Sequence, residues 1–335
     1  MGNTAGVRHY FLEAYTPFGY ISFVAGLLKD MKHTYYLTGG PGTGKSTMIK
    51  LIGIQLIDRG YDVDYVRSTK EPDSVAGLFL PKHRICLLDK NEFIEQNLSS
   101  EYHSLVDFDS FCRKSKMEQH QNRIRELDSM LKQIELMIIN QLYKDYQVEI
   151  QDAEKELLGK EHISIESIFS TKEDEPDLSE ITKILSKIKK NYLCFHFLHG
   201  LQIDGWLNLA PKYIREFDRI CLEGEDSSKI LRDILQEVKS LGQVVEIIVH
   251  PLKPNTTVGV VFPEKNLAVW KGNPCRIEEQ GFRKKHSSQL SGILEGYKKV
   301  RIELKSLIND ALNFRGLDEL RNELLSSILM DLRQE

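Results

Sequence analysis

The sequence predicts an α/β fold built of two tandem repeats, each an α/β/α core followed by a helical attachment, with the second repeat degenerate. Three observations predict it: a strand, a glycine-rich loop and a helix in the first half; glycines and prolines that recur in the second half; and apolar heptad stripes after each core. The predicted boundaries are 1–112 for the first core, 113–190 for a helical attachment with an acidic linker, 191–278 for the degenerate core and 279–335 for the C-terminal helical attachment.

The composition of the 335-residue chain excludes several classes of protein. Hydrophobic residues make up 41% and charged residues 28%, the net charge is −4, and no apolar run reaches the roughly 20 residues that cross a bilayer. We therefore expect no membrane span, and no basic block rich in aromatics signals nucleic-acid binding. The start of the sequence lacks export features and the five cysteines are scattered, which predicts a cytoplasmic protein with reduced thiols.

The segment HTYYLTGGPGTGKSTMIKLIGIQLIDRG reads as a strand, a loop and a helix that ends at Gly60. Within it, Gly39, Gly44, Lys45 and Ser46 match G-x-x-x-x-G-K-[ST], the P-loop or Walker A pattern. The loop itself is filled by Gly40, Pro41, Gly42 and Thr43. The alternative interpretation is a glycine-rich turn with a solvated lysine, but the strand before and the helix after favour the P-loop.

The residue types of this segment are those that bind a polyphosphate. Glycines let backbone N–H groups approach the phosphates, and the helix N-terminus adds the positive end of its dipole. Lys45 is expected to reach the β and γ phosphates, Ser46 to ligate Mg²⁺ and Thr47 to contact the α phosphate. The predicted cofactors are Mg²⁺ and ATP, and ATP is favoured over GTP because the guanine motif N-K-x-D is absent.

A P-loop also needs a carboxylate for the metal, and the apolar run RICLLD ends in Asp89. We predict Asp89 as a metal ligand with Ser46, and as a catalytic residue with Lys45; the alternative is that Asp89 only begins a turn. The next residue is Lys90 and not the glutamate that would polarise water, so fast hydrolysis is not predicted. Glu92 and Asp73 are candidates for the missing base, each also readable as a loop carboxylate.

Phenylalanine, glycine and proline residues of the first half recur in the second half, at a shift of 186 residues and then of 182 residues. The matched residues include Phe11 with Phe197, Gly19 with Gly205, Gly60 with Gly242, Pro72 with Pro254, Gly77 with Gly259 and Pro81 with Pro263. Opposite the loop the second half has EGEDSSKILR, which is acidic, and opposite Asp89 it has Lys271. The fold class is therefore two tandem P-loop NTPase-like repeats, of which the second binds no nucleotide in the usual manner and keeps Lys229 as a relic or as a surface charge.

Apolar heptad stripes follow each core, from Ile124 to Ile138 and from Ile293 to Ala311. They predict either arms for a protein partner or helices that pack on their own domain, and stripes this short favour packing. The acidic segment STKEDEPDLSE predicts a flexible linker near residues 170–178. His196 and His199 form an H-x-x-H pair without a third ligand nearby, so we expect structural histidines.

The chain resembles an internally duplicated family of bacterial P-loop proteins, frequent in spore-forming Firmicutes and labelled as ATPase or nucleotide-kinase-like. The resemblance covers nearly the whole chain and rests on TGGPGTGKSTMIKLIG, on the segment DSVAGLFLPK from Asp73 to Lys82, and on the repeat with helices after each core. Family members often keep a P-loop in both copies and follow the aspartate with G-T-x-P-H, whereas this chain has LLDKNEF. These departures bear on catalysis more than on nucleotide binding.

Three functions are consistent with the sequence. The first is a slow Mg-ATPase that acts as a regulatory switch. The second is a nucleotide or small-molecule kinase, in which Arg67, Lys70 and Arg84 could clamp phosphates or could be ordinary surface charges. The third is a non-catalytic nucleotide-sensing scaffold, which Lys90 and the degenerate second copy suggest. The first is preferred because no cluster of lid arginines follows the core.

Overall fold

The computed structural model describes residues 5–29, 31–93, 103–146, 193–224, 227–238, 244–275 and 287–333. Its strands are β1 Val7–Tyr10, β2 Glu13–Thr16, β3 Gly19–Ser22, β4 His33–Thr38, β5 Val63–Arg67, β6 Val75–Leu80, β7 Ile85–Asp89, β8 His103–Asp107, β9 Leu193–His196, β10 His199–Gln202, β11 Gly205–Asn208, β12 Asp218–Leu222, β13 Val245–His250, β14 Lys253–Phe262 and β15 Leu267–Lys271. Its α-helices are α1 Val24–Leu28, α2 Lys45–Ile57, α3 Lys114–Tyr146, α4 Ala210–Tyr213, α5 Ser227–Val238, α6 Ser288–Asn309 and α7 Phe314–Arg333. The chain is a mixed α/β protein, and the linker predicted at residues 170–178 lies outside the described residues.

The chain divides into two compact units that are interleaved in sequence. Unit 1 comprises Met1–His9, Leu28–Met137 and Gly292–Glu335, and unit 2 comprises Tyr10–Leu27 and Ile138–Ser291. The predicted ranges are contiguous, whereas each of these units includes segments from both halves of the chain. In particular, nearly all of α6 and all of α7 belong to the unit that contains the glycine-rich loop, although they follow the second core in sequence.

A six-stranded mixed sheet lies in unit 1, with the strand order β1-β5-β6-β7-β4-β8. β4 runs parallel to both of its neighbours, β7 and β8, whereas β5, β6 and β7 form an antiparallel meander. The register pairs Leu37 with Asp89 and Thr38 with Asp107, so the carboxyl ends of three parallel strands meet at one edge of the sheet. In α/β sheets ligands bind outside such an edge, and the glycine-rich loop begins there.

Helix α2 packs on this sheet because its apolar side chains recur at helical spacing. They lie in one core cluster with side chains of β4, β5, β6, β7 and α7. The buried apolar side chains of α2 are Met48, Ile49, Ile52 and Leu56. Burial of each such side chain contributes about 1.5–3 kcal/mol, so the start of α2 is held firmly at the end of the loop.

A five-stranded mixed sheet lies in unit 2, with the order β12-β15-β14-β13-β9. β12 is parallel to β15 and β9 is parallel to β13, whereas β13, β14 and β15 are antiparallel. The order and directions of β13, β14, β15 and β12 therefore match those of β5, β6, β7 and β4 in unit 1. The register also matches, since Leu222 pairs with Lys271 here and Leu37 pairs with Asp89 there.

Two hairpins of unit 2, β2–β3 and β10–β11, come from opposite halves of the chain. Phe11 and Phe197, which the predicted repeat would match with each other, exchange backbone hydrogen bonds. The N–H of Phe11 donates to the carbonyl of Phe197 at 2.9 Å, and the reverse bond measures 2.8 Å. The two bonds form an isolated antiparallel bridge between the two segments.

The predicted heptad stripes lie on long helices, and much of each stripe is covered by other parts of the chain. Leu127 and Leu131 of α3 are buried, as are Tyr297 and Leu304 of α6. Among the described residues, no helix is both long enough and apolar enough to span a membrane.

The two histidines of the H-x-x-H pair, His196 and His199, are buried in unit 2. The ring of His196 stacks on Tyr10, with ring centroids 4.6 Å apart. Burial, together with the nearby His250, lowers the pKa of His199 to about 3. Within the described ranges, no group of three or more His, Cys, Asp or Glu side chains is arranged to hold a metal ion.

The low pKa of His199 makes the stability of unit 2 sensitive to acid. The unfolded chain binds a proton at this residue below about pH 6.5, whereas the folded protein does so only near pH 3. Stability therefore falls as the pH falls from 7 to 5, and His199→Gln should reduce that loss by about 2 kcal/mol. Urea unfolding of both proteins at the two pH values measures the difference, and equal losses would contradict the prediction.

The packing of α2 on the sheet requires glycine at position 53. A Cβ added to Gly53 would lie 2.1 Å from the hydroxyl oxygen of Tyr65 and 2.7 Å from Leu78 Cδ1. We expect Gly53→Ala to lower the free energy of unfolding by about 1–3 kcal/mol, because the helix must move away from the sheet.

The matched control is Gly296→Ala in α6, where an added Cβ meets nothing within 4 Å. This change should raise stability by up to about 1 kcal/mol, because alanine favours the helix. Thermal unfolding of the two variants beside the wild type tests both signs. If both variants were more stable than the wild type, or both less stable, the contact at Gly53 would not be the cause of the change in stability.

Candidate functional site

The glycine-rich loop Gly39–Gly44 joins β4 to α2, and its path depends on glycine. Gly39, Gly42 and Gly44 have φ values of 126°, 88° and 93°, which other residues rarely adopt. Gly44 is also the N-cap of α2, where no side chain makes a capping hydrogen bond. The loop therefore leads directly onto the N-terminus of a 13-residue helix, whose dipole favours an anion.

The ammonium group of Lys45 folds back into this loop. It donates to the carbonyls of Gly39 at 2.5 Å and Gly40 at 2.8 Å, and to the hydroxyl of Thr43 at 3.2 Å. These acceptors stabilise a side chain that is only 4% exposed, since a buried ammonium without partners is costly. The lysine Nζ also lies 3.5 Å from Asp89 Oδ2, so the two predicted catalytic residues are neighbours.

Two backbone donors of the loop are bound by side chains that follow the adjacent strands. The N–H of Gly39 donates to Asn91 Oδ1 at 3.2 Å, and the N–H of Gly40 donates to Asp109 Oδ1 at 3.0 Å. Asn91 comes just after β7 and Asp109 just after β8. An amide oxygen and a carboxylate oxygen therefore accept hydrogen bonds of the kind that phosphate oxygens accept at such loops.

Asp89 ends β7, the strand directly beside β4, and its carboxylate is buried. Its Oδ1 accepts a hydrogen bond from the N–H of Asn91 at 3.1 Å. Burial raises the pKa of Asp89 to about 6; the positive charge of Lys45 opposes this shift and the negative charge of Glu92 adds to it. The carboxylate is therefore ionised for the most part at neutral pH.

A cavity of about 780 Å³ lies in front of the loop, a volume typical of ligand sites. Seven of the predicted site residues line it: Pro41, Gly42, Gly44, Lys45, Ser46, Thr47 and Asp89. The other three, Gly39, Gly40 and Thr43, contact the Lys45 ammonium from within the loop. The structure therefore brings together all the residues that the sequence assigns to the site.

The secondary candidates separate into two groups. Lys70 and Glu92 line the cavity, whereas Arg67, Arg84 and Asp73 are not among its lining residues in the described part of the chain. The guanidinium of Arg67 instead donates to the carbonyl of Pro72. Of the three cations considered for a kinase, Lys70 is the one that faces the cavity.

Much of the remaining cavity wall comes from α6 and α7. Six basic and six acidic side chains line the cavity in total: Lys45, Lys70, Lys132, Arg301, Lys305 and Arg321, with Glu71, Asp89, Glu92, Asp128, Glu135 and Asp318. Arg301 and Lys305 were not predicted as residues of the site, because charged residues between heptad positions are typical of a solvated helix face. No local signal connects α6 with a loop more than half the chain away.

Glu71 links the loop after β5 to helix α6. Its Oε1 accepts a hydrogen bond from Arg301 Nε at 2.7 Å, and its Oε2 accepts one from the Lys305 ammonium. Arg301 also lies 3.7 Å from Glu92 Oε2, and Glu92 Oε1 accepts a hydrogen bond from the hydroxyl of Ser68. The two carboxylates therefore share the Arg301 guanidinium, whose side chain is 9% exposed.

Lys70 and Tyr297 extend this buried network. The Lys70 ammonium lies 3.9 Å from Glu135 Oε1, which also accepts a hydrogen bond from the Tyr297 hydroxyl at 2.9 Å. Burial alone would raise the pKa of Glu92, but the charges of Lys70 and Arg301 hold it at about 2. Burial would likewise lower the pKa of Lys70, yet Glu92 and Glu135 raise it above its usual value. Glu92 and Lys70 are therefore both charged at neutral pH, whereas burial and the nearby Glu135 raise the pKa of Tyr297, so its hydroxyl stays neutral.

Ser46 connects the glycine-rich loop to the loop after β5. Its Oγ accepts a hydrogen bond from the backbone N–H of Val75 at 3.0 Å, and Val75 directly follows Ser74 in the cavity wall. The hydroxyl oxygen of Ser46 and the carboxylate of Asp89 face the same cavity. Both are hard oxygen ligands of the type that Mg²⁺ prefers, and Mg²⁺ commonly takes its other ligands from water and phosphate.

No protein-family model, curated protein or solved structure matches this chain.

The buried Arg301 should matter for stability more than an exposed arginine with similar partners. Arg301→Met leaves Glu71 and Glu92 with one cation fewer in a buried site, so we expect a loss of about 3 kcal/mol in the free energy of unfolding. The control is Arg123→Met, because Arg123 pairs with Glu126 and Glu303 in an exposed position, where ion pairs contribute little. Urea unfolding of the two variants measures both, and equal losses would contradict the assigned role of Arg301.

Proposed function

We propose that this chain is a P-loop protein that binds Mg-ATP in unit 1 and hydrolyses it slowly as a regulatory switch. The observation that carries the proposal is the distance of 3.5 Å between Lys45, the first residue of α2, and Asp89, the last residue of β7, beside a loop of positive-φ glycines. This arrangement provides a cradle of N–H groups, a cation and a carboxylate in one cavity. Membership of the duplicated P-loop family remains part of the same proposal.

The fit of Mg²⁺ to the site is part of this proposal. Ser46 Oγ and Asp89 are the residues that would hold the ion, which would neutralise negative charge on the phosphates. The protein residues would hold the nucleotide and exclude water. Lys45 would exchange its loop carbonyl acceptors for phosphate oxygens, and Thr47, exposed at the start of α2, would face the α phosphate.

We propose slow turnover because Glu92, the candidate base that lines the cavity, is already bound by other side chains. Glu92 lines the cavity, but it lies within reach of Arg301 and accepts a hydrogen bond from Ser68. Lys70, Arg301 and Ser68 act against burial to hold the pKa of Glu92 at about 2, which makes it a poor acceptor for a proton of water. Release of Glu92 from this network would be a condition for faster hydrolysis.

We also propose that the two halves are copies of one ancestral unit and that the second copy does not bind nucleotide. The matching order and directions of four strands in each sheet support this, as does the reciprocal pairing of Phe11 with Phe197. In the second copy the counterpart of Asp89 is Lys271, and the exposed Lys229 lies at the start of α5. Residues 225 and 226, the acidic pair of the second loop, lie outside the described residues.

A kinase is the second candidate, and the position of Lys70 favours it. This lysine lines the same cavity as Lys45 and adds a second cation that a phosphate acceptor would need there. Transfer of phosphate from ATP to a metabolite in a screened mixture, with little release to water, would favour this candidate. Tight binding of Mg-ATP with neither transfer nor release would instead indicate the nucleotide-sensing scaffold.

The test of the main proposal measures nucleotide binding and phosphate release with Mg²⁺, offering ATP and GTP separately to the full chain. Lys45→Ala should weaken ATP binding by roughly 10- to 100-fold, because it removes charge-assisted hydrogen bonds to phosphate. Asp89→Asn should abolish the dependence of binding on Mg²⁺ and the release of phosphate. The matched control is Lys229→Ala in the second copy, which should leave binding unchanged. A wild type that binds neither nucleotide would show the proposal to be wrong.

A further inference from the structure

Helix α6 lies directly against the glycine-rich loop. A Cβ added to Gly42 would lie 3.0 Å from the Cα of Lys305 and 3.1 Å from its carbonyl oxygen, and one added to Gly40 would lie 3.1 Å from Ile308 Cδ1. Glycine at these two positions therefore serves the fit of the helix as well as the path of the loop. The backbone of Lys305 is thereby held beside the loop.

The side chain of Lys305 is the accessible member of the ion-pair network. It is 39% exposed, whereas Arg301 is 9% and Glu71 is 14% exposed. The ammonium contacts Glu71, which belongs to the loop after β5 and lies 234 residues earlier in the chain. A lysine side chain is long and has three rotatable donors, so it can exchange one oxygen partner for another without movement of its helix.

The charges around the cavity make such an exchange favourable. The cavity is lined by equal numbers of basic and acidic side chains, so a polyphosphate that enters adds negative charge that these pairs do not already balance. Arg301 is held by both Glu71 and Glu92, and Lys45 is held inside the loop. Lys305 can move to a phosphate while Arg301 continues to neutralise Glu71.

We propose that Lys305 is a phosphate-binding residue of this site. Its ammonium group would move away from Glu71 and bind the terminal phosphate of a nucleoside triphosphate. This inference rests on the proposed function, since it names a further residue of the same site. A nucleoside diphosphate lacks the phosphate that Lys305 would bind. The site would therefore distinguish the two nucleotides through a helix of the second half of the chain.

The move of Lys305 to the terminal phosphate would also change how firmly the segment between β5 and β6 is held. Glu71 lies in the segment between β5 and β6, and that segment ends at Val75, whose N–H is bound to Ser46. When Lys305 leaves, Glu71 keeps Arg301 as its partner in α6 but loses one of two ion pairs. The segment that carries Lys70 and Glu71 would then be held less firmly, which is the type of order change used by nucleotide switches.

The test compares the affinities of the full chain for ADP and for a non-hydrolysable ATP analogue, adenylyl-imidodiphosphate, both with Mg²⁺. Lys305→Ala should weaken the triphosphate analogue about tenfold and change ADP affinity less than twofold, because one charge-assisted bond to the terminal phosphate is lost. Glu71→Gln should strengthen the triphosphate analogue about threefold, because Lys305 no longer has to break an ion pair. Lys305→Arg, which keeps the positive charge, should restore most of the preference.

The control is Lys299→Ala in the same helix, since Lys299 pairs with Glu295 on the solvent side and does not line the cavity. It should leave both affinities unchanged. The inference is overturned if Lys305→Ala weakens ADP and the triphosphate analogue equally, which is what a structural role alone would produce, or if it weakens neither. A wild type that binds neither nucleotide would overturn the proposed function itself, whereas normal binding with an unchanged preference overturns only the role of Lys305.

Discussion

Positive charge that is buried must be neutralised inside the protein, and most of the contacts around the glycine-rich loop of unit 1 follow from this constraint. Lys45 meets it with two loop carbonyls, a hydroxyl and the carboxylate of Asp89. Arg301 meets it with two carboxylates from different segments. The same contacts that satisfy these cations therefore tie helix α6 and the loop after β5 to the site.

This constraint explains why the last helices of the chain belong with its first core. The heptad residues of α6 provide a buried face, and two of the charged residues between them, Arg301 and Lys305, line a cavity. Close contact with Gly40 and Gly42 then sets the distance between helix and loop. Apolar packing, ion pairs and the lack of side chains at Gly40 and Gly42 all act at the contact between α6 and the glycine-rich loop. A change in any one of them therefore affects the others.

The sequence was informative wherever the signal was local. The strand, the loop and the start of α2 follow from residues adjacent in the chain, and Asp89 follows from an apolar run that ends in a carboxylate. Asn91 could have been added, since it stands two residues after Asp89. Arg301 and Lys305 could not, because a heptad pattern predicts that a helix has a buried face but not which core covers it. The interleaving of the units is hidden for the same reason: it depends on tertiary contacts between segments far apart in sequence.

The order of the glycine-rich loop and helix α6 along the chain also fixes when the cavity can first form in a newly made molecule. Lys305 is translated roughly 10 to 50 seconds after Lys45 at ordinary rates of synthesis. Throughout that interval the growing chain has its glycine-rich loop without the helices that form the opposite wall of the cavity. The cavity can therefore form only after α6 has been made, and a chain that stops short of α6 carries the glycine-rich loop without part of the cavity wall.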